Sequence, residues 1–286
     1  MKVIISRKGF DFKHGRMASP ILPDGSLLPL PIPSNHDGET LGDLPYPGVD
    51  MSRIVVDLSR YRHTLATRVH LDPDLDRTEA RRALGWRPAL GQSGAAQIHL
   101  FAKNVHAGDA FLFFGWCRLA EFVDGQWRFV KRAPNLHVLF GWLEVDEILP
   151  IVKQREHSIK RHPWIVQHPH VANPAWYNSE LNHLYIGREQ SAYLPNNRPG
   201  GGRFPKFASA LQLTKAGHSR SIWSLPSWFS PNGRDPLSYH TDVRSWKDEE
   251  DSVTLRSACI GQEFVLDARV YPEAEEWVRT LIRENA

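Results

Sequence analysis

The fold is decided by residues 108–145, which read GDAFLFFGWCRLAEFVDGQWRFVKRAPNLHVLFGWLEV. Residues 110–116 and 137–145 are β-prone apolar runs, and residues 126–130 alternate apolar and polar side chains with a period of two. Asp124-Gly125 separates two of these runs as a turn, and strands joined by short turns pair antiparallel. This stretch therefore predicts a set of antiparallel strands.

The rest of the chain adds elements around these strands. Residues 2–6 and 261–266 are predicted strands, and the apolar side chains in residues 274–282 have the spacing of a helix. Residues 18–50 contain seven prolines but are rich in Leu and Ile, which favours a long ordered loop over a disordered linker. We expect one α+β domain over residues 1–286, and a subdomain break near residue 150 stays open because no linker marks it.

Composition limits the classes of protein to consider. The 286 residues are 41% hydrophobic and 23% charged, as in an ordinary globular protein. The net charge of +3 is too small for a protein that coats nucleic acid, so a nucleic-acid site would be local. No apolar run reaches the roughly 18 residues of a membrane span. We expect a soluble, cytoplasmic protein without a signal peptide.

Common catalytic and metal-binding signatures are missing from the sequence. No Walker A loop, GxGxxG after a strand, GxSxG or zinc-deaminase motif is present, which disfavours ATP-binding, NAD-binding, hydrolase and deaminase folds. Cys117 and Cys259 form no CxxC pair, and we expect two buried thiols, with a single disulfide as the alternative. No cofactor is assigned.

Five motifs identify a family resemblance. They are SRKGFD at residues 6–11, SPILPDGSLLPLPIP at 19–33, HLDPDL at 70–75, GDAFLFFGW at 108–116 and GQEFV at 261–265. Together they resemble the family called nucleotide modification associated domain 3, over nearly the whole chain. The resemblance implies a role in bacterial or phage DNA modification, a nucleotide or nucleic-acid partner (DNA rather than RNA) and partner proteins from a DNA-modification system. It implies no established reaction.

The order of elements gives a second, local similarity. A Gly-Asp turn, an apolar strand and a Gly-containing strand that ends in an acidic turn are similar to PUA-like barrels, the group that includes ASCH, EVE and YTH domains. This similarity implies that the antiparallel strands form a partly closed, PUA-like β-barrel core with peripheral helices.

Polar residues suited to nucleotide chemistry recur in or near these motifs. Cationic side chains suit phosphate, amides suit the edge of a base, and a carboxylate near a histidine suits acid–base catalysis. We expect a single nucleobase pocket in which Asp11, His170 and Glu263 catalyse a metal-free base or group-transfer reaction. The expected substrate-binding residues are Arg7, Lys8, Gln92, His168, Asn173, Tyr239, His240 and Gln262.

Two other functions stay open. A non-catalytic reader of modified bases follows from the PUA-like similarity. An iron-dependent oxygenase would use His70, Asp72 and a distant histidine such as His240 as a two-histidine, one-carboxylate site. Since the chain has 14 histidines, His-x-Asp arises easily by chance, and we assign no metal from the sequence. A helix cap or a surface ion pair is an equally ordinary role for each of these side chains.

Overall fold

The computed structural model describes residues 1–44, 46, 48–76, 82–179 and 181–286. The strands are β1 (Lys2–Arg7), β2 (Ser19–Ile21), β3 (Ala89–Gln92), β4 (Ala110–Val123), β5 (Gln126–Phe129), β6 (Leu136–Pro150), β7 (His183–Gly187), β8 (Gly201–Arg203), β9 (Ile222–Pro226), β10 (Trp246–Asp248), β11 (Ser252–Arg256) and β12 (Glu263–Asp267). The α-helices are α1 (Met51–Ser59), α2 (Gly94–Ala102), α3 (Ile151–Arg161), α4 (Pro169–Ala172), α5 (Pro174–Tyr177) and α6 (Glu273–Asn285). None of the described helices is both long enough and apolar enough to cross a membrane.

Nine of the described strands form one mixed sheet. Its main order is β12-β1-β4-β6-β7-β3, with β2 and β5 paired to β4 and with β8 paired to β6. Strand β4 is parallel to β1 and to β2, and the other pairs are antiparallel. Strands β10, β11 and β9 form a separate antiparallel sheet. The prediction of an α+β protein with mainly antiparallel strands is confirmed.

The prediction of a partly closed, PUA-like barrel is wrong. Closure requires the two end strands of a sheet to pair, but β12 and β3 lie at opposite ends of the sheet order. Helix α2 lies against β12 instead. The outer edge of β3 is taken by the segment around Asp74, whose backbone exchanges two hydrogen bonds with Ala89. Local strand motifs predicted the strands correctly, but closure depends on distant segments that these motifs do not encode.

Strand β1 separates the two sides of the core. Val3 and Ile5 pack on the side of Trp223 and α6, whereas Ile4 packs on the opposite side with Phe111. This alternation is the ordinary consequence of the two-residue repeat of a strand. The same alternation places Arg7 and Lys8, the charged residues at the end of β1, on opposite sides of the sheet.

The long loop before α1 is ordered by its apolar side chains, as predicted. Leu28 and Leu30 are buried in one cluster with Ile54 of α1. The predicted loop prolines Pro45 and Pro47 lie outside the described residues. This loop forms part of the wall of the cavity that is described below.

Both cysteines are free, so the alternative of a disulfide is wrong. Cys117 is buried, as expected for a structural thiol. Cys259 is exposed, which corrects the expectation that both thiols lie in the core.

Candidate metal centre

Three buried side chains point ligand atoms at one another. Nε2 of His70 lies 4.0 Å from Oδ2 of Asp72, and Nε2 of His170 lies 3.9 Å from the same oxygen. The three ligand atoms lie within 4.8 Å of one another. Metal bonds of about 2.1 Å would place neighbouring ligand atoms about 3.0–3.4 Å apart, so an ion would draw each histidine nitrogen and the Asp72 oxygen together by about 0.5–1 Å. These residues are the candidate metal ligands.

The outer hydrogen bonds fix which ring nitrogen of each histidine carries a proton. Nδ1 of His70 donates to Oδ2 of Asp37 at 2.9 Å, and Nδ1 of His170 donates to Oδ1 of Asn182 at 2.6 Å. The amide of Asn182 is oriented because its Nδ2 donates to the backbone oxygen of His170. Since both acceptors are oxygens without a proton, Nδ1 carries a proton in each ring, and the neutral form of the ring has its lone pair at Nε2. Metal-binding histidines are typically held in this way.

Asp72 is held as an anion. The backbone N–H of Gly91 donates to its Oδ1 at 2.7 Å, and Nε2 of His168 lies 3.4 Å from the same oxygen without aligning for a hydrogen bond. Burial alone would raise the pKa of Asp72, but His168 and the charge of Lys8 keep it below its usual range. Burial lowers the pKa of His170 to about 3. Both groups are therefore deprotonated at neutral pH, as metal binding requires.

Two short helices position His170. Helices α4 and α5 each begin with a proline that follows a capping side chain, His168 for α4 and Asn173 for α5. These successive turns bring Trp176 onto the cluster, where its ring stacks on His170 with centroids 5.2 Å apart. The same indole lies 4.7 Å from the ring of His70. Trp176 thus covers both histidines.

A second buried polar group adjoins the first. Nζ of Lys8 lies 3.2 Å from Oε1 of Glu263, and Nε2 of Gln92 donates to the same oxygen. The other carboxylate oxygen of Glu263 is buried and has no hydrogen-bond partner among the described residues. Gln92 directly follows Gly91, and a Cβ at Gly91 would lie only 2.2 Å from the ring of His170. Strand β3 therefore connects the Lys8–Glu263 group to the metal ligands.

A cavity lies beside these groups. Its internal free volume is about 50 Å³, and Lys8 and Asp72 line it. Other lining residues are Leu30, Leu44, Tyr46, Leu71, Phe140 and Arg203. The cavity walls therefore combine mostly apolar side chains with the charged groups of Asp72 and Lys8.

The structure brings six of the predicted site residues into this region. They are Lys8, Gln92, His168, His170, Asn173 and Glu263. Asn173 belongs to the group because its Nδ2 donates to Asp37, the partner of His70. This part of the region combines a candidate metal site with a buried ion pair.

The other predicted site residues lie elsewhere in the described structure. Asp11 is half exposed and bonds to His14, so it does not join His170 and Glu263 in one catalytic group. Gln262 is exposed, and Tyr239 packs on the ring of His99. Arg7 and His240 also lie outside the cluster, and they are described below.

Sequence reasoning paired His70 and Asp72 with the wrong distant histidine. The third ligand atom comes from His170, which the sequence had placed in the site for acid–base chemistry. Asp37, Asn182 and Trp176 were not singled out at all. The proline that follows each capping residue in HPHVANPAW was a usable signal, because it predicts two short helical turns that bring residues 170 and 176 together.

His240 lies in a separate buried environment. Its Nδ1 donates to the backbone oxygen of Ser238, its Nε2 accepts from the N–H of Ala258, and its ring packs on Phe264. Burial is the main cause that lowers the pKa of His240 to about 4. The ring is therefore neutral in the folded protein at neutral pH.

This low pKa predicts a pH-dependent contribution to stability. An unfolded histidine titrates near 6.5, so below that pH the unfolded chain binds a proton that folded His240 does not. The contribution is complete above about pH 6.5 and is lost as the pH falls toward 4, with a slope of at most about 1.4 kcal/mol per pH unit. Urea unfolding between pH 7 and pH 4 should show a shallower loss for His240→Gln than for the wild type. Equal slopes would contradict this assignment.

Comparison with known proteins gives one match. The family model described as nucleotide modification associated domain 3 matches residues 2–267. This range contains the metal ligands, the Lys8–Glu263 group and the cavity. No curated protein and no solved structure matched the chain.

Proposed function

Because the chain belongs to the nucleotide modification associated domain 3 family, we propose that it is a metal-dependent enzyme that modifies a nucleotide or a base of nucleic acid. Its reaction centre is a divalent transition metal bound by His70, Asp72 and His170. DNA is the proposed polymer rather than RNA, as the sequence motifs imply. The proposal treats residues 1–286 as one domain, since strands from both sides of residue 150 pair in one sheet.

The observation that carries the proposal is that three buried ligand atoms face one another at distances too long for hydrogen bonds. Nε2 of His70 and Nε2 of neutral His170 both face the anionic Oδ2 of Asp72, because their Nδ1 atoms bond to Asp37 and Asn182. The separations of 4.0 and 3.9 Å are too long for hydrogen bonds. Buried acceptors in this arrangement repel one another, and a cation at their centre converts the repulsion into attraction.

The ligand set favours a reactive metal over a structural one. Structural zinc sites are closed by four protein ligands, whereas three ligands leave positions for a substrate or water. A metal at such a site polarises an oxygen atom that binds at an open position. Asp72 also lines the cavity, so a ligand in the cavity lies next to the metal. Lys8 supplies a positive charge at the same wall.

An iron-dependent oxygenase is the second candidate. Two histidines and one carboxylate with open positions form the ligand set of non-haem iron oxygenases. Metal exchange separates this candidate from a Lewis-acid enzyme. Consumption of dioxygen with Fe²⁺, and its absence with Zn²⁺, is the expected result for the oxygenase.

The proposal is tested by metal content and by modified nucleosides together. Wild-type protein and Asp72→Asn are titrated with Fe²⁺, Mn²⁺ and Zn²⁺, and nucleosides from cells expressing either protein are compared by mass spectrometry. We expect one metal per wild-type chain and an altered nucleoside that disappears with Asp72→Asn. Absence of stoichiometric binding for all three metals would overturn the proposal. Binding of a modified base without conversion, unchanged in Asp72→Asn, would instead favour the non-catalytic reader.

A further inference from the structure

On the opposite side of β1, Arg220 packs against two aromatic rings. Its Cζ lies 4.3 Å from the ring centroid of Phe12 and 4.7 Å from that of Trp116. Among the described residues, its guanidinium forms no hydrogen bond or ion pair. The side chain is half buried, and the charge of half-exposed Asp11 acts on it through space without a direct ion pair among the described residues, which leaves its N–H groups available to a polar ligand.

Arg7 adds a second positive charge next to Arg220. Its Nη1 and Nη2 donate to the neutral backbone oxygens of Cys259 and Ala258, and its Nε is buried without a partner. Burial and then the charge of Arg7 lower the pKa of Arg220, so the two guanidinium groups lie within electrostatic range. The direct hydrogen-bond partners of Arg7 are neutral, and both arginines share the more distant charge of one carboxylate, Asp11. Two neighbouring cations with one distant counter-charge create a site for an anion such as phosphate.

Phe12 and Trp116 form an aromatic surface beside these cations. Their ring centroids lie 4.7 Å apart, and Phe12 is 65% exposed. The indole of Trp116 is held by a hydrogen bond from its Nε1 to Asn135 at 2.8 Å. Exposed aromatic rings next to arginines are the typical platform on which unpaired bases stack.

We propose that Arg7, Phe12, Trp116 and Arg220, here called the Arg220 platform, bind a single strand of nucleic acid. A phosphate lies between the two guanidinium groups, and a neighbouring base stacks on Phe12. An unpaired strand is favoured over a duplex because the bases of a duplex have no free faces for stacking.

The platform and the cavity lie on opposite sides of the carboxyl end of β1. Arg7 lies over Phe114 and Phe264, which belong to the core cluster on the side of α6, whereas its neighbour Lys8 lines the cavity. This inference rests on the proposed function, which makes the ligand a nucleotide or a nucleic acid. It adds that the substrate is a nucleic-acid strand. A free nucleotide would not need this second site.

Binding of a labelled single-stranded DNA of about 12 nucleotides, followed by fluorescence anisotropy, tests the platform. Loss of base stacking weakens binding roughly 5- to 150-fold, so we expect an effect of this size for Phe12→Ala. Arg220→Ala should weaken binding similarly and reduce the salt dependence by about 0.7 in the log–log slope, the share of one phosphate contact. Phe122→Ala is the matched control, because Phe122 is 47% exposed and also lies under an arginine, Arg53.

The controls separate this inference from the proposed enzymatic function. Phe122→Ala should bind the strand like the wild type, since Phe122 belongs neither to the platform nor to the proposed metal site. Wild-type affinity in both Phe12→Ala and Arg220→Ala would overturn the inference. Equal weakening by Phe122→Ala, or tighter binding of a duplex, would overturn it as well. Metal-dependent modification of free nucleotides without strand binding would leave the enzyme proposal intact and remove the platform.

Discussion

Replacing His170 by glutamine is expected to abolish stoichiometric metal binding and, with it, nucleoside modification. The substitution removes one of the two nitrogen ligands and leaves two protein ligands, too few to hold the ion. Loss of a hydrogen bond to a ligand typically weakens metal affinity about 10–100-fold, and loss of the ligand itself should exceed that range. Isothermal titration with Zn²⁺ and Fe²⁺ measures the change, and circular dichroism confirms that the variant is folded.

Two further variants test whether the loss of metal binding is specific to the proposed ligands. Asp37→Asn keeps an acceptor for Nδ1 of His70 but removes the negative charge, so we expect metal affinity to fall within the range of about 10–100-fold. His240→Gln is the matched control, because His240 is also buried but bonds to Ser238 and Ala258 instead of the cluster. Retained metal binding in His170→Gln, or equal losses in His240→Gln, would contradict the assigned ligands.

The second large effect is expected for Gly91→Ala. The added methyl group would lie 2.2 Å from two ring carbons of His170, a distance that no relaxed structure tolerates. Either His170 leaves its position or β3 shifts and weakens the hydrogen bond from Gly91 to Asp72. We expect metal affinity to fall by at least about 10–100-fold and the free energy of unfolding to fall by about 1–3 kcal/mol.

Gly38→Ala controls for the loss of a glycine as such. A Cβ at Gly38 would meet no atom within 4 Å. This variant should therefore bind metal and unfold like the wild type in the same titration and urea experiments. Normal metal binding by Gly91→Ala would show that His170 does not pack against β3 in the loaded protein.

Strands could be predicted from the sequence because their signal is local. The alternation in residues 126–130 and the apolar runs around it lie within the strands that they predict. The prediction of barrel closure failed because closure depends on whether β12 and β3 pair, and these strands are more than 170 residues apart in the sequence. A local motif does not indicate whether two strands so far apart in the sequence pair.

The site could be predicted only in part. Lys8, Gln92, His170 and Glu263 converge as expected, but Arg7 does not join them. The two-residue repeat of β1 already implied this outcome, because neighbouring residues in a strand face opposite sides. The pairing of His70 with His170 could not be predicted, since it requires a loop and two short helices to meet across about 100 residues of sequence.

The backbone bridge between Asp74 and Ala89 has a consequence for self-association. Strand β3 terminates the large sheet, and a terminal strand with free N–H and C=O groups recruits strands from other molecules. Here the segment that carries Asp72 and Asp74 occupies that edge, so the stretch of chain that supplies one proposed metal ligand, Asp72, also shields the sheet from oligomer growth through Asp74. Damage to this segment would therefore promote aggregation as well as inactivation.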